Sequence, residues 1–234
     1  VLVLGIETST NQTAVALGSD QGIVAASMLT GTKANHELVT PNITHLLRWA
    51  DVPISSIGGV AVGLGPGLFT GMRVGIATAK TLAQVLNVPI AGLASLDVVA
   101  FSVRYARRRI CATIDAKRGE LFYAFYRPVP GGVTRITDFQ VGSAARLTAE
   151  LEARPEETML VGNGTLVYRR ELEEAGKHVE FASAAYAFPA ATALVELAIP
   201  RFQREEFDRV YDLKPFYVRK ADAEIAWEHR RRAD

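Results

Sequence analysis

The stretch IDAKRGELFYAFY, residues 114–126, can be laid beside IETSTNQTAVAL, residues 6–17: a strand end, an acid, a polar turn and a second strand. Glu7 and Asp115 become counterparts in this alignment. Upstream of Glu7, VLVLGIE is continuously apolar for six residues and β-branched, the pattern of a buried strand. Downstream, Thr8 to Gln12 turn the chain, and Thr13 to Leu17 and Ile23 to Leu29 complete a three-stranded meander. The second half restarts at Ile110 to Asp115 and adds its third strand near Val133 to Phe139. Between the two meanders, Val39, Ile43, Leu46, Leu47 and Ala50 recur at helical spacing from Glu37 to Ala50, and Pro53 stops the pattern. Ile57 to Gly63 reads as a fourth strand, followed by the loop GLGPGLFTG, a helix from Gly71 to Asn87, a strand from Val88 to Leu93, and a helix capped by Ser95 that runs to Tyr105. In the second half, Ala144 to Ala153 and Leu166 to Ala175 read as helices around a strand at Met159 to Val161. Pro189 starts a further helix through Phe202.

This rhythm divides the chain into lobes at residues 1–106 and 107–234, with the last helix and tail packing back on the first lobe. Any two α/β lobes can share such a rhythm, but the order of features favours internal duplication. Duplicated lobes with a leading meander and an acid ending the first strand resemble the α/β, ribonuclease H-like fold of actin, Hsp70 chaperones and sugar kinases. Those proteins hold a nucleotide between their lobes.

Composition narrows the function. The 234 residues are 49% hydrophobic and 22% charged, ordinary for a globular protein. The apolar runs fall short of a membrane span, and no secretory leader pattern is present, so a cytoplasmic protein is expected. Cys111 is the single cysteine, which excludes an internal disulfide or a cysteine cage within the chain. A net charge of +1 provides no global attraction to nucleic acid.

The sharpest local feature is GLGPGLFTGMRVG, Gly63 to Gly75, between a strand and a helix N-terminus. Such a place can offer backbone N–H groups to an anion. It lacks the Gly-Lys-Ser/Thr ending of a phosphate loop and the third glycine of a dinucleotide fingerprint. The alternative is a tight turn, with Gly65, Pro66 and Gly67 positioning the next helix for contact. Gly71, Gly75, Ala79 and Ala83 form a four-residue-spaced row along which a partner helix can approach. Leu38, Asn42, His45 and Trp49 form a second stripe on the preceding helix, so both helices are expected to face a partner.

GPGLFTGMRVG is similar to the signature of the TsaB (YeaZ) family. GIETST, HELVTPNITHLL, IDAKRGELF, GNGTLVY and KPFYVR extend the resemblance over almost the whole chain, with Glu7 where relatives commonly have Asp and Leu68 where they commonly have Ser. The resemblance implies a non-catalytic subunit that supports a catalytic paralogue, TsaD, aided by an ATPase, TsaE. Together they transfer threonylcarbamoyl from its adenylate to N6 of the adenosine beside the anticodon of tRNA. It also implies a heterodimer with the paralogue, a homodimer in isolation, and tRNA contact mainly through the complex. ATP and a metal are implied for the partners, with no cofactor held tightly by this chain.

The residues themselves are consistent with a non-catalytic role. His36 and His45 are nine residues apart, which on a helix sets them on opposite sides about 13 Å apart, a poor metal pair. His178 and His229 have no nearby histidine or cysteine. Glu7, Thr8, Ser9 and Asp115 are the candidates for holding a nucleotide or its magnesium. Their other reading is that the acids cap turns or pair with Lys117 or Arg118. Arg107 to Arg109 and Arg230 to Arg232 can approach phosphates or be solvated charge. The alternative to an interaction subunit is an ATP-hydrolysing or phosphoryl-transfer enzyme on the same scaffold; a metalloprotease-like enzyme is disfavoured by the missing ligands.

Overall fold

The computed structural model describes residues 1–31 and 36–218. The first sheet contains β1 (Val3–Glu7), β2 (Gln12–Ser19), β3 (Gly22–Thr30), β4 (Gly59–Gly63) and β5 (Ile90–Leu93) in the order β3-β2-β1-β4-β5. The second contains β6 (Arg109–Lys117), β7 (Glu120–Val129), β8 (Gly132–Arg135), β9 (Gln140–Ser143), β10 (Thr158–Val161) and β11 (Val179–Phe181). Its order is β11-β10-β6-β7-β8, with β9 also paired to β7. Read from the opposite edge, the second order matches the first: a three-strand meander, then two parallel strands joined to the meander's first strand. The third strand expected near Val133 to Phe139 is instead two short strands, because β7 is long enough to pair with one at each end.

β1 and β4 are buried along their whole length, which is why they read as continuous apolar runs. On one face of the first sheet, Leu4, Ile6, Val15, Val60 and Val62 meet α1 (Val39–Trp49) and α2 (Phe69–Leu86). α1 contributes Val39, Ile43, Leu46 and Leu47, each worth about 1.5–3 kcal/mol when fully buried. α2 stops at Asn87, whose left-handed φ of 53° ends the hydrogen-bond ladder.

α3 (Ser95–Ser102) links the lobes, and in the second lobe α4 (Ala144–Ala153), α5 (Asn163–Val167) and α6 (Arg169–Glu173) follow. The helix expected over 166–175 is thus two short helices interrupted at Tyr168. α7 (Ala191–Gln203) returns to the first lobe. Its Leu194, Val195 and Ala198 cover Val3, Ala14, Ala16 and Ala61 on the sheet face opposite α1 and α2.

Beyond α7, the segment from Phe207 to Val218 is a strap over the β5 edge. The Asp208 N–H donates to the Ile90 carbonyl, and the Asp208 carboxylate accepts from the Gly92 N–H and Arg201. Leu213 is buried against Leu64, and the Phe216 N–H donates to the Leu64 carbonyl at 2.8 Å. These bonds cover a strand edge that would otherwise present unpaired backbone groups. Residues 219–234, including His229 and the arginines at 230–232, lie outside the described residues. The same is true of 32–35, just before the first helix.

Candidate functional site

The glycine-rich loop is built around the β1–β2 turn. A Cβ at Gly63 would strike the Glu7 carboxyl, one at Gly67 the Ser9 carbonyl, and one at Gly71 the Thr8 carbonyl. At Gly75 it would strike the Thr8 hydroxyl. These glycines are there for close approach, and hydrogen bonds seal the contact. Thr8 Oγ1 donates to the Gly71 carbonyl at 2.8 Å, and the Leu68 N–H donates to the Ser9 carbonyl at 2.6 Å. The turn therefore seats the first turn of α2 against the end of β1.

Glu7 sits beneath this contact. Its carboxyl accepts the Ser9 N–H at 2.7 Å and the Ser95 hydroxyl at 2.8 Å. Ser95 Oγ also receives the Gly65 N–H at 3.1 Å, and the Ser95 N–H donates to the Gly65 carbonyl. The expected role of Ser95 as a helix cap is corrected here: Ala94 is the N-cap, and the Ser95 side chain ties the loop to an acid 88 residues away in sequence. Burial pushes the Glu7 carboxyl above its ordinary value, opposed by hydrogen bonds from Ser9 and Ser95. The Ser9 hydroxyl is buried and makes no hydrogen bond among the described residues.

The nucleotide candidates divide accordingly. Glu7, Thr8 and Ser9 have at most 1% exposure. The Glu7 carboxyl, the Thr8 hydroxyl and the Ser9 backbone are taken up in holding the loop and α2, while the Ser9 hydroxyl finds no partner among the described residues. Asp115 lies two residues before the end of β6 and is itself buried, but its partner Lys117 is exposed. Asp115 accepts the Lys117 N–H at 2.8 Å and Lys117 Nζ at 2.7 Å, with Tyr168 Oη at 3.3 Å. Its own N–H donates to Asn163 Oδ1. Turn capping and pairing with Lys117 thus describe the two acids better than a shared ligand.

The small-residue row requires the largest correction. Gly71, Gly75, Ala79 and Ala83 are buried and face their own sheet beside Met72 and Ile76. They are not a surface for a second molecule. The exposed ridge of α2 instead carries Arg73, Ala77, Thr81 and Gln84. On α1, Asn42 is likewise buried, whereas Leu38, His45 and Trp49 are exposed, with the Trp49 ring stacked on His45 at 5.6 Å.

Between the two helices runs an open apolar groove of about 400 Å³, lined by residues including Ile43, Leu47, Ala77, Thr78 and Leu82. The row expected to face a partner lies on the buried side of α2, and Asn42 on the buried side of α1. The signal for this was Arg73, Thr81 and Gln84, a polar stripe that cannot face a core.

Other candidates are placed as follows. Arg108 pairs with Glu157 and Glu180, while Arg109 pairs with Glu156 and lies over the Phe125 ring. This part of the basic cluster is neutralised locally. Among the described residues no group of three or more His, Cys, Asp or Glu side chains could hold a metal ion, and no helix is long and apolar enough to cross a membrane.

A family model described as "TsaD: tRNA N6-adenosine threonylcarbamoyltransferase" matches residues 27–227. The chain is 29% identical over 227 residues to the tRNA threonylcarbamoyladenosine biosynthesis protein TsaB of Bacillus subtilis (strain 168), covering 96% of this chain and 97% of that protein. The solved structure of YeaZ from Pseudomonas aeruginosa superposes with a TM-score of 0.78 at 25% identity, covering 92% of this chain and 99% of that one. A more distant structure, the activator of the 2-hydroxyisocaproyl-CoA dehydratase from Clostridium difficile with bound ADPNP, has a TM-score of 0.52 at 11% identity, over 89% of this chain and 99% of that one. The fold is that of the actin, Hsp70 and sugar-kinase superfamily.

Proposed function

The chain belongs to the TsaB (YeaZ) family, within the reach of the TsaD family model, and on that premise we propose that it is a non-catalytic subunit in tRNA threonylcarbamoyladenosine synthesis. Its partner is a TsaD-like catalytic paralogue, assisted in the cytoplasm by a TsaE-like ATPase. The paralogue transfers threonylcarbamoyl from its adenylate to N6 of the adenosine beside the anticodon. ATP and metal belong to these partners, and tRNA meets this chain mainly through the assembly.

The observation that carries this reading is the self-filled turn. The Glu7 carboxyl, the Thr8 hydroxyl and the Ser9 backbone are taken up in holding the loop and α2. What the arrangement supports is a rigid seat for α2 and, with α1, an open apolar groove. A paired helix from the paralogue, or from a second copy in its absence, would bury that groove and complete a four-helix contact. This also weighs against an ATP-hydrolysing enzyme, which needs donors free to meet phosphates.

Reconstitution tests the proposal: purified paralogue and ATPase are assayed for tRNA modification with and without this chain. The expected result is strong dependence on the chain, with no ATPase or transferase turnover by the chain alone. Turnover by the purified chain that disappears in Glu7→Gln would overturn it.

A further inference from the structure

The groove is too small to be a whole interface. A stable interface buries about 800 Å² per partner and uses about 20–30 residues a side, whereas the groove is lined by a short run of side chains from α1, the turn after it and α2. A partner seated there must spread over a neighbouring surface. The α2 ridge is the direct continuation: Ala77 and Thr81 line the groove, and Arg73 and Gln84 lie in the same stripe, one turn to either side.

On its other flank the ridge meets the C-terminal strap. Gln84 Nε2 donates to Tyr211 Oη at 3.3 Å, and Arg73 Nε donates to Tyr217 Oη at 3.0 Å. The two contacts are about 16 Å apart along the helix at 1.5 Å per residue, so the strap runs beside α2 for most of its length.

Arg73 is the notable residue on this ridge. Its guanidinium carbon lies 3.8 Å from the Phe69 ring centroid and 6.0 Å from that of Tyr217, so the side chain is held between two rings while remaining exposed. Arg104, Arg108, Arg109 and Arg201 each hold a carboxylate. Among the described residues Arg73 has no such ion pair; its bond to Tyr217 uses Nε, leaving the outer nitrogens without an acid. Stacking has already restricted its rotamers, so less side-chain freedom is lost when a carboxylate binds. Aromatic and arginine side chains are also the types that dominate interface energetics.

We propose that the partner surface crosses the α2 ridge onto the strap, where Arg73, set between Phe69 and Tyr217, receives a carboxylate from an acidic, apolar-flanked face of the protein partner. This rests on the groove being the partner site. The occupant is a protein face rather than RNA because the patch is continuous with an apolar groove and its ring-held cation, Arg73, sits beside that groove.

The test measures affinity between this chain and its catalytic paralogue by calorimetry, with circular dichroism confirming that each variant is folded. Arg73→Glu should weaken the pair at least tenfold, Tyr217→Ala severalfold, and Arg73→Lys less than Arg73→Glu. The wild-type pair should weaken with added salt more steeply than the Arg73→Ala pair. Should Ala77→Arg abolish pairing while folded Arg73→Glu and Tyr217→Ala bind like wild type, the strap lies outside the interface and the inference fails, with the groove intact. Unchanged pairing in Ala77→Arg sinks the groove reading itself. Normal pairing with loss of tRNA binding in the Arg73 variants would assign the patch to RNA and overturn the protein partner.

Discussion

The turn after β1 and the turn after β6 occupy equivalent places in the two halves, yet their acids are held in opposite ways. Glu7 is enclosed with no cation beside it among the described residues, receives hydrogen bonds, and supports a loop and a helix from below. Asp115 is capped by a lysine whose side chain is 58% exposed, at the tip of a hairpin. One copy of the scaffold has made its turn part of the core; the other has kept it near the surface. The first half therefore fixes α2 against its sheet by closing the turn that the second half leaves open.

The most forceful way to break this comparison is to disturb the seat of α2. Ala79 has no exposure. Ala79→Arg buries a guanidinium without an acid, and should cost about 3–5 kcal/mol or prevent folding. Ala77→Arg, on the exposed ridge, should change stability by about 0.5 kcal/mol or less. Urea unfolding of the two variants side by side gives the result; a folded Ala79→Arg with a wild-type midpoint would return that row to the surface.

In the second half the expected effect is smaller. Asp115→Asn removes the ion pair and leaves an amide to meet the Lys117 N–H and Tyr168 Oη. One strained or lost buried hydrogen bond is worth about 1 kcal/mol, and the same urea titration should show a loss of that order. A loss as large as that of Ala79→Arg would mean that the second turn is also structural core.

Glu7→Gln sharpens the contrast through pH. Burial raises the folded carboxyl above its ordinary 4.5, so across the window from that value up to the raised one the folded state binds more protons than the unfolded state. Stability supplied by the protonated form is present below that window and lost as pH rises through it. The glutamine variant does not titrate there, so its stability relative to wild type should improve as pH rises from 4.5 through that window. Thermal melts across this range check the slope; a relative stability that falls with rising pH would show Glu7 stabilised in its charged form.

Much of this architecture was legible in the sequence because it is local. Alternating and continuous apolar runs gave the strands, and Pro53 and Asn87 marked where helices stop. The matched acids at 7 and 115 exposed the repeat, and the strand orders of the two sheets carry the same correspondence. The orientation of α2 was not legible from Gly71, Gly75, Ala79 and Ala83 alone. Small residues suit an outward partner and an inward sheet equally, and only the polar ridge beside them decides. Ser95 was misjudged for a different reason. A serine at a helix start looks like a cap, and its true acceptor is an acid brought near by the fold rather than by the chain. The Arg73–Tyr217 contact is hidden in the same way, since 144 residues separate its members.

The return of α7 and the strap to the first sheet has a consequence for how the molecule is made. β1, β2 and β4 emerge early from the ribosome, but the helix that covers their second face spans residues 191–203. Until it arrives, Val3, Ala14, Ala16 and Ala61 have no cover on that side, and the β5 edge awaits Asp208. Such distant contacts slow folding and leave apolar surface open to aggregation while the second lobe is synthesised. A fragment ending near residue 106 would have that exposed face permanently, so the early half of the chain needs its own late half to bury the second face of its sheet.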